Sequence, residues 1–336
     1  MTTVRVAVVG ASGFIGEAVT SECRRRGHAV SPVRAPRIRA NTSREHVTES
    51  LVEGWIRRNP AQCDAMCGAL SGADVVVHAA GLAAPDSNDA PSLFGANAVL
   101  PGVVASLSAA VGARRLVHVS SAAVQGRRTP LDESRELAPL SAYALSKAAG
   151  ETAVQSMQLE RPQEVVVYRP TSVQACSRQT TRRLVAFATR RFVPIAGDGE
   201  LPVPVCTIDS VAAAVAHLVT APAVYPIVLH PWEGMTTRLL LEAFGDDPAF
   251  VSVPRFATSV GARVSGVLGV AAPRLAGSVR RLELLLMGQR QSAIALQASG
   301  LVFGDQIDSY RELGRAVRDS RGGRMGQARG WHNEDL

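Results

Sequence analysis

The sequence predicts a doubly wound α/β fold, in which a parallel sheet carries helices on both faces. Short apolar runs at Val4–Val9, Val75–Val77, Arg115–Ser120 and Glu164–Arg169 are rich in valine, which is typical of strands buried on both faces. Longer helical stretches, such as Ser141–Met157, separate these runs. Alternation of this kind favours a parallel sheet.

One interval departs from the alternation. Ala29–Val33 has the character of a second strand, but Arg37–Ala73 looks mainly helical and polar and offers no good third strand. After Ser172 the pattern loosens and proline becomes frequent, which indicates a smaller substrate lobe over the carboxyl edge of the sheet. Helical segments are expected there at Ser210–Val219 and Thr237–Phe244. The predicted units are residues 1–172 with parts of 203–230 as the sheet domain, 173–318 as the substrate lobe and 319–336 as a mobile tail.

Charge and composition narrow the classes of partner. The formal net charge is +7, but the arginines are spread along the chain, and no basic run with interleaved aromatic residues occurs. Nucleic-acid binding is therefore not expected, and an anionic small molecule accounts better for some of the arginines.

Membrane and metal sites are not expected either. The most apolar stretch, Phe256–Ala272, is interrupted by Arg263, so no membrane span is predicted. Cys63 and Cys67 lack a second ligand pair, so we predict no metal site. Because Val4–Val9 belongs to the fold almost from the start, we expect no signal peptide and a cytoplasmic protein.

A glycine-rich turn follows the first strand and precedes a helix, which is the context of dinucleotide binding. Gly10 permits the tight turn, Gly13 lets the backbone approach a pyrophosphate, and Gly16 lets the helix pack closely on the sheet. The N-terminus of that helix would then offer free N–H groups to the phosphates. The residues of this predicted Rossmann-type cofactor site are Gly10, Ser12, Gly13, Phe14, Ile15 and Gly16.

The end of the second strand indicates which cofactor is used. A carboxylate there would accept hydrogen bonds from the ribose 2′-hydroxyl of NAD, but the chain has Arg34 and Arg37, with Arg39 beyond them. Arginine can pair instead with a 2′-phosphate. We therefore expect NADP to be preferred to NAD, and expect Arg34 and Arg37 to contact it.

A tyrosine and a lysine four residues apart form the candidate catalytic pair. Lys147 is the only lysine among 36 basic residues, and Tyr143 lies on the same face of a predicted helix. A nearby ammonium lowers the pKa of a tyrosine and makes it a usable general acid or base. Ser120 and Ser121 end a predicted strand, where a hydroxyl could hold a substrate oxygen.

These motifs, in this order, resemble the extended short-chain dehydrogenase/reductase family, which includes the NAD-dependent sugar epimerases and dehydratases. The resemblance covers roughly residues 4–220. The motifs that carry it are Gly-Ala-Ser-Gly-Phe-Ile-Gly at 10–16, Asp-Val-Val-Val-His-Ala-Ala at 74–80, Asn97, Val-Ser-Ser-Ala-Ala-Val at 119–124, Tyr-Ala-Leu-Ser-Lys at 143–147 and Tyr-Arg-Pro at 168–170.

The resemblance implies several site residues. It implies catalysis by Ser121, Tyr143 and Lys147, with Asn97 close by. Asn97, Tyr143 and Lys147 are also expected to contact the cofactor. The cofactor residues that it implies are Ala79, Ala80 and Gly81 along the dinucleotide, and Arg169, Pro170 and Thr171 near the nicotinamide.

The chain departs from the family pattern around the substrate. Gln125 stands where the family often has tyrosine, and we expect it to contact the substrate. Ala122 and Ala123 replace the Asp-Glu pair of the sugar 4,6-dehydratases, which disfavours dehydration. The arginine that binds the diphosphate in many nucleotide-sugar members is missing before Asp209. The arginines that could substitute for it are Arg182, Arg183, Arg280 and Arg281.

The leading hypothesis is an NADP(H)-linked reductase or dehydrogenase that acts on a ketone or secondary alcohol of a small molecule, with a sugar nucleotide favoured. The first alternative is a nucleotide-sugar epimerase that retains NAD. The second is a non-catalytic dinucleotide sensor, which would not need the serine, tyrosine and lysine set. A homodimer through the helices around 96–111 and 141–157 is expected from the resemblance alone.

Overall fold

The computed structural model describes residues 3–40, 49–83, 90–158, 163–245, 247–254 and 276–329. Its centre is a six-stranded parallel sheet with the order β2-β1-β3-β4-β5-β9. This confirms the predicted doubly wound, Rossmann-like fold. The strands of the sheet are β1 (Arg5–Val9), β2 (Ala29–Val33), β3 (Val75–His78), β4 (Arg115–Val119), β5 (Glu164–Arg169) and β9 (Ile227–Leu229).

Successive valines of the strands serve two hydrophobic cores, one on each face of the sheet. In β3, Val76 packs into one core, whereas Val75 and Val77 pack into the other. Helices α1 (Phe14–Arg25) and α8 (Ile208–Thr220) cover the second face and contact each other. The helices on the first face are α2 (Glu49–Arg58), α3 (Pro60–Leu70), α4 (Ala90–Phe94), α5 (Leu100–Ala110) and α6 (Ala142–Gln158).

Strand β2 is the edge of the sheet in the part of the chain that the structure describes, and the helices expected between Arg37 and Ala73 are present there. Pro32 lies within β2 and has no N–H to donate to a further strand, which suits an edge. The chain forms α2 and α3 instead. Their apolar side chains, including Val52 and Met66, pack into the core under the sheet.

Helices α4 and α5 are joined by a π-helical turn, Gly95–Val99, into one continuous helical segment. Among the described residues, Ala90–Ala110 is the one helix long and apolar enough to cross a membrane. However, 78% of its most apolar window is buried inside the protein, as expected of a core helix. The π turn widens the helix and places Asn97 within it.

The C-terminal lobe has its own core. Two small parallel pairs belong to this half of the chain, β6 (Ser172–Gln174) with β8 (Val205–Thr207), and β7 (Phe192–Ala196) with β10 (Ala249–Val253). Its helices are α7 (Gln179–Ala188), α9 (Thr237–Phe244), α10 (Ala276–Met287), α11 (Ala295–Ala298) and α12 (Ile307–Arg329). The predicted apolar stretch Phe256–Ala272 lies outside the described residues.

Two other predictions for this half of the chain have different outcomes. Helices at Ser210–Val219 and Thr237–Phe244 were expected, and α8 and α9 lie there. Helix α12 continues through Arg329, so the described part of the segment from Asp319 is helical, and its mobility stays a prediction. Tyr310 and Val317 anchor α12 in the lobe core. Once a helix has formed, each added residue loses its backbone freedom but gains one hydrogen bond, so an anchored helix can continue.

A buried polar chain joins the lobe to the sheet. The Tyr168 hydroxyl lies 2.6 Å from His230 Nδ1, and His230 Nε2 lies 2.8 Å from Glu233 Oε1. The hydroxyl of Tyr310 in α12 donates to the second oxygen of Glu233 at 2.7 Å. Since unpaired polar groups are costly in a core, these bonds hold the lobe in one position over the carboxyl ends of the strands.

The face expected to form a dimer is occupied in part by the chain itself. Helix α2 contacts both α5 and α6, the helices on which a partner was expected. The packing is close, because a Cβ added at Gly102 of α5 would lie 2.7 Å from Val52 and 3.3 Å from Ala153. Helix α2 therefore covers part of the surface of α5 and α6, and the homodimer stays a prediction.

Replacing Val52 with alanine tests this packing. Val52 is fully buried, so Val52→Ala should lower the free energy of unfolding by about 2 kcal/mol through loss of buried methyl groups. Glu53→Ala, one residue along the same helix, loses only an exposed pair with Arg57 and should change it by less than about 0.5 kcal/mol. Denaturant titration measures both. Equal effects would mean that α2 does not pack against this face.

Candidate functional site

The glycine turn after β1 brings three pieces of backbone together. Gly10 has φ +86°, and a Cβ there would lie 2.6 Å from the backbone of Ala80 after β3. A Cβ at Gly16 would lie 2.0 Å from the carbonyl oxygen of Gly10. Neither position tolerates a side chain. The turn therefore sets the start of α1 directly against the carboxyl ends of β1 and β3.

Helix α1 begins with free donors. Gly13 precedes its first residue, is exposed, and has no side chain to cap the helix. Phe14, Ile15 and Gly16 form the first turn, whose N–H groups have no partner within the helix. These donors, with the positive end of the helix dipole, fit the pyrophosphate of a dinucleotide.

A single large cleft of about 1460 Å³ runs from this turn across the carboxyl ends of the strands. Most of the predicted cofactor and catalytic residues line it. Those that do are Gly10, Ser12, Gly13, Phe14, Ile15, Arg34, Arg37, Ala79, Ala80, Gly81, Ser121, Tyr143, Lys147, Pro170 and Thr171. Gly16 lies just behind the turn, packed against Gly10.

The end of the cleft beyond β2 is lined by Arg34 and Arg37 on one side and by Met66 and Ala69 of α3 on the other. Both arginine side chains are exposed, and neither forms an ion pair with any residue that the structure describes. Arg39 differs, because it donates to the Ser92 hydroxyl at 2.8 Å. Helix α3 thus supplies one wall at this end of the cleft.

Tyr143 and Ser121 meet at the centre of the cleft. Ser121 follows β4 and caps the 3₁₀ turn Ala122–Gln125, accepting the N–H of Ala123 at 3.2 Å. Burial raises the pKa of Tyr143, and a hydrogen bond from Ser121 and the positive charge of Arg178 oppose that rise. Both residues line the cleft, where their hydroxyl groups could bind one substrate oxygen.

Lys147 lies one helical turn along α6 from Tyr143. Its Nζ donates to the carbonyl oxygen of Val119 at 3.0 Å, and burial lowers its pKa to about 8 while Glu151 opposes the effect. A Cβ at Gly81 would lie 3.3 Å from this Nζ. The ammonium is thus held between the end of β4 and the loop after β3.

Asn97 supports the cleft from below and does not line it. Its side chain accepts the N–H of Leu82 and donates to the Leu82 carbonyl, both at 2.9 Å, and also donates to Ser146 at 3.1 Å. The π turn allows the amide to reach all three partners. Asn97 therefore positions the loop after β3 against α6, and a direct cofactor contact for it stays a prediction.

Arg169 and Gln125 were expected to contact ligands, but both are fully buried and neither lines the cleft. Arg169 forms a two-bond ion pair with Glu151, at 2.7 and 3.0 Å. Gln125 exchanges hydrogen bonds with Asp132, at 2.8 and 3.0 Å. Burial and these partners correct both expectations, since each side chain holds the loop beneath the site.

The sequence did not single out Arg178. It precedes α7, lines the cleft, and places its guanidinium carbon 4.9 Å from the centre of the Phe14 ring. Of the arginines suggested as substitutes for the missing diphosphate ligand, Arg280 lines the cleft, whereas Arg182 and Arg183 do not. In the sequence, Arg178 is marked by its position shortly after the end of a strand, but many other arginines of this chain have a similar position.

Two buried histidines lie beneath the site. His78 and His118 stack at 5.0 Å between ring centres, and their Nδ1 atoms are 2.9 Å apart. One ring must donate and the other accept, so the two rings cannot both be protonated. Burial, with the nearby charge of Lys147, lowers the pKa of His78 to about 3 and that of His118 well below its usual range.

Comparison with known proteins agrees with this geometry. A model of the NAD dependent epimerase/dehydratase family matches residues 6–227. The dTDP-4-dehydrorhamnose reductase of Mycolicibacterium smegmatis is 30% identical over 155 residues, which are 45% of this chain and 41% of that protein. The match thus spans less than half of that relative's length.

Solved structures share the fold. A short-chain dehydrogenase/reductase superfamily protein from Agrobacterium tumefaciens with bound NAD has a TM-score of 0.65 and 18% identity, covering 96% of this chain and 99% of its own. A dTDP-4-dehydrorhamnose reductase from Bacillus anthracis in complex with NADP has a TM-score of 0.60 and 16% identity, covering 93% and 99%. At these identities the similarity establishes the fold alone.

The histidine pair predicts a dependence of stability on pH. Because folding lowers both pKa values, the unfolded chain binds protons first as the pH falls below about 6.5. The stability present above that pH is then lost towards pH 3, at up to about 1.4 kcal/mol per pH unit for each histidine. His118→Leu should make the free energy of unfolding fall less steeply between pH 6 and 4. Parallel pH profiles for the two proteins would contradict this account.

Proposed function

The chain belongs to the NAD dependent epimerase/dehydratase family, and we propose that it is an NAD(P)-linked oxidoreductase that interconverts a ketone and a secondary alcohol on a sugar nucleotide. One observation carries this proposal. Ser121, Tyr143 and Lys147 line the same cleft as the glycine turn, which joins an acid–base site to a dinucleotide site.

The residues of the cleft fit a dinucleotide. The turn after β1 excludes side chains at Gly10 and Gly16, and the first N–H groups of α1 are free to bind a pyrophosphate. Gly81 leaves room beside Lys147, where a ribose hydroxyl could accept from its Nζ. When bound, the nicotinamide would supply or accept the hydride.

The chain's own residues would handle the oxygen and its proton. Ser121 would donate a hydrogen bond to the carbonyl oxygen, which polarises the carbonyl group. Tyr143 would give its phenolic proton to that oxygen as the hydride reaches the carbon, and would take the proton back in the oxidative direction. Arg178 favours the phenolate that remains on Tyr143.

A sugar nucleotide is supported by the relatives and by the substrate end of the cleft. Two of the relatives are named as dTDP-4-dehydrorhamnose reductases. Beyond Tyr143 the cleft continues between apolar and polar walls that belong to both the sheet domain and the lobe. The residues there are Ala122, Ala123, Leu131, Leu140, Val173, Arg178, Thr180, Pro204, Arg280, Leu284 and Gln289.

Substitution of Tyr143 tests the acid–base assignment. Tyr143→Phe should lower kcat/KM for NADPH-dependent reduction of dTDP-4-dehydrorhamnose by about 10²- to 10⁴-fold, because the proton donor is lost. Its affinity for NADPH should be unchanged. Tyr225→Phe removes an exposed hydroxyl outside the cleft and is the matched control. Full activity in Tyr143→Phe would remove Tyr143 from the mechanism.

Cofactor preference follows from the exposed arginines after β2. We propose that Arg34 and Arg37 pair with a 2′-phosphate, so that NADP is preferred. Calorimetric titration should show Arg34→Ala weakening NADPH binding by about tenfold or more, while NADH binding stays the same. Arg39→Ala is the control, since Arg39 already binds Ser92.

The same titration distinguishes the alternatives. NAD that co-purifies tightly with the protein would favour an epimerase that retains its cofactor. Failure to bind either dinucleotide would reject the oxidoreductase proposal.

A further inference from the structure

Two successive residues at the end of β4 are bound to α6. The carbonyl oxygen of Val119 accepts from Lys147 Nζ at 3.0 Å, and the Ser120 hydroxyl donates to a carboxylate oxygen of Glu151 at 2.5 Å. The two partners lie four residues apart on one face of α6. Ser121, which is proposed to hold the substrate oxygen, comes next in the chain. Its position in the cleft therefore depends on how the end of β4 is held.

Glu151 is fully buried, and both of its carboxylate oxygens are bound. One oxygen accepts from Ser120 and from Arg169 Nε at 3.0 Å, and the other accepts from Arg169 Nη2 at 2.7 Å. Arg169 Nη1 in turn donates to the Ser134 carbonyl at 2.8 Å. Charge-assisted bonds of this kind are short and directional. One carboxylate thus joins α6 to the end of β4, to the end of β5 and, through Arg169, to the loop before α6.

Glu151 also supplies negative charge near Lys147. Burial lowers the pKa of Lys147 to about 8, and the charge of Glu151 opposes that change. The groups that act on Lys147 by charge, or that bind a group which does, are Glu151, Arg169, His78 and His118. The pKa of each histidine is lowered, so the two rings are neutral near pH 7. Within this set, Glu151 alone can favour the ammonium.

We propose that Glu151 is a positioning residue of the oxidoreductase, which fixes the end of β4 against α6 and keeps the ammonium of Lys147 charged. This role rests on the proposed function, because it concerns the same site. Glu151 does not line the cleft, so it acts through Ser120 and Lys147 and not by contact with a ligand. A charged Lys147 in turn makes Tyr143 a usable proton donor and acceptor.

The charge of Lys147 can be measured directly, because it is the only lysine in the chain. Protein labelled with ¹³C at the lysine ε-carbon should give one NMR signal, whose chemical shift follows the protonation of Lys147. In the unsubstituted protein the titration midpoint should lie near pH 8. Glu151→Gln removes the negative charge and should lower that midpoint by about one pH unit.

The kinetic effects should follow the same order. Glu151→Gln should lower kcat for NADPH-dependent reduction by about tenfold or more, since small displacements of catalytic groups are costly. The alkaline limb of its pH profile should move to lower pH, because Lys147 loses its proton earlier. Ser120→Ala removes the bond to β4 but leaves the charge, so it should lower kcat without moving the midpoint of Lys147. Full kcat in Ser120→Ala would contradict the positioning of β4.

Glu164→Gln is the matched control. Glu164 pairs with the buried Arg115 at 2.7 Å, but at the amino end of β5, the end opposite Arg169. Its loss also leaves a buried arginine without a carboxylate, so it reproduces the damage to packing away from the cleft. The Lys147 midpoint and kcat should both stay unchanged. Equal effects of Glu164→Gln and Glu151→Gln would overturn the proposal, as would an unchanged Lys147 midpoint in Glu151→Gln.

Glu151→Gln leaves Arg169 as an unpaired buried charge and may be too unstable to study for that reason alone. Combining Glu151→Gln with Arg169→Met removes both charges and should restore folding. The Lys147 midpoint should still be lower in this double variant, and an unchanged midpoint there would overturn the proposal.

The role of Glu151 and the proposed function can fail separately. The NMR titration uses no substrate or cofactor, so it tests the effect of Glu151 on Lys147 even if the protein reduces no ketone. Absence of any reduction or dinucleotide binding would reject the oxidoreductase alone. An active enzyme in which Glu151→Gln changes neither the Lys147 midpoint nor kcat would retain the oxidoreductase and reject the role of Glu151.

Discussion

The close approach of three backbone segments at the glycine turn is the constraint on which the rest of the site depends. Gly10 touches the chain after β3, and Gly16 touches the carbonyl of Gly10, at distances that no Cβ could occupy. Because these contacts set α1 on the sheet edge, they also fix where its free N–H groups point. The loop that carries Gly81 is held from the other side by Asn97, so the cleft wall is defined by backbone more than by side chains.

Helix α6 carries both proposed catalytic residues and a buried carboxylate at intervals of four residues, and each of these side chains has a different partner. Tyr143 meets Ser121, Lys147 binds the carbonyl at the end of β4, and Glu151 pairs with the buried Arg169. Removing one member of a buried ion pair is costly, because the remaining charge is left without a partner. The pair of Glu151 and Arg169 therefore holds α6 in register with β5, and this register places Tyr143 and Lys147 in the cleft.

The sequence predicted the parts of the protein that local pattern determines. Valine runs identified β1, β3, β4 and β5 but not the edge strand β9. The glycine spacing and the Tyr143–Lys147 interval identified the residues that the structure brings into one cleft. Side-chain partners could not be predicted, because they depend on distant residues. Gln125 ends a 3₁₀ turn and Arg169 ends a strand, positions where ligand residues often lie, yet Asp132 and Glu151 bind them in the interior. Arg178 was missed for the converse reason, since nothing local distinguishes an unpaired arginine from a paired one.

Helices α2 and α3, which stand where a third strand was not found, shape both the wall of the cleft and the surface over α5 and α6. Helix α3 gives Met66 and Ala69 to the far end of the cleft, and α2 inserts Val52 against α5 and α6. These helices share one hydrophobic core with the sheet, so neither can shift without disturbing the other. A substitution in α2 would then be felt at the cofactor end of the cleft, although α2 itself does not line it. In this chain the shape of the dinucleotide site and the surface over α5 and α6 are set by the same stretch of sequence.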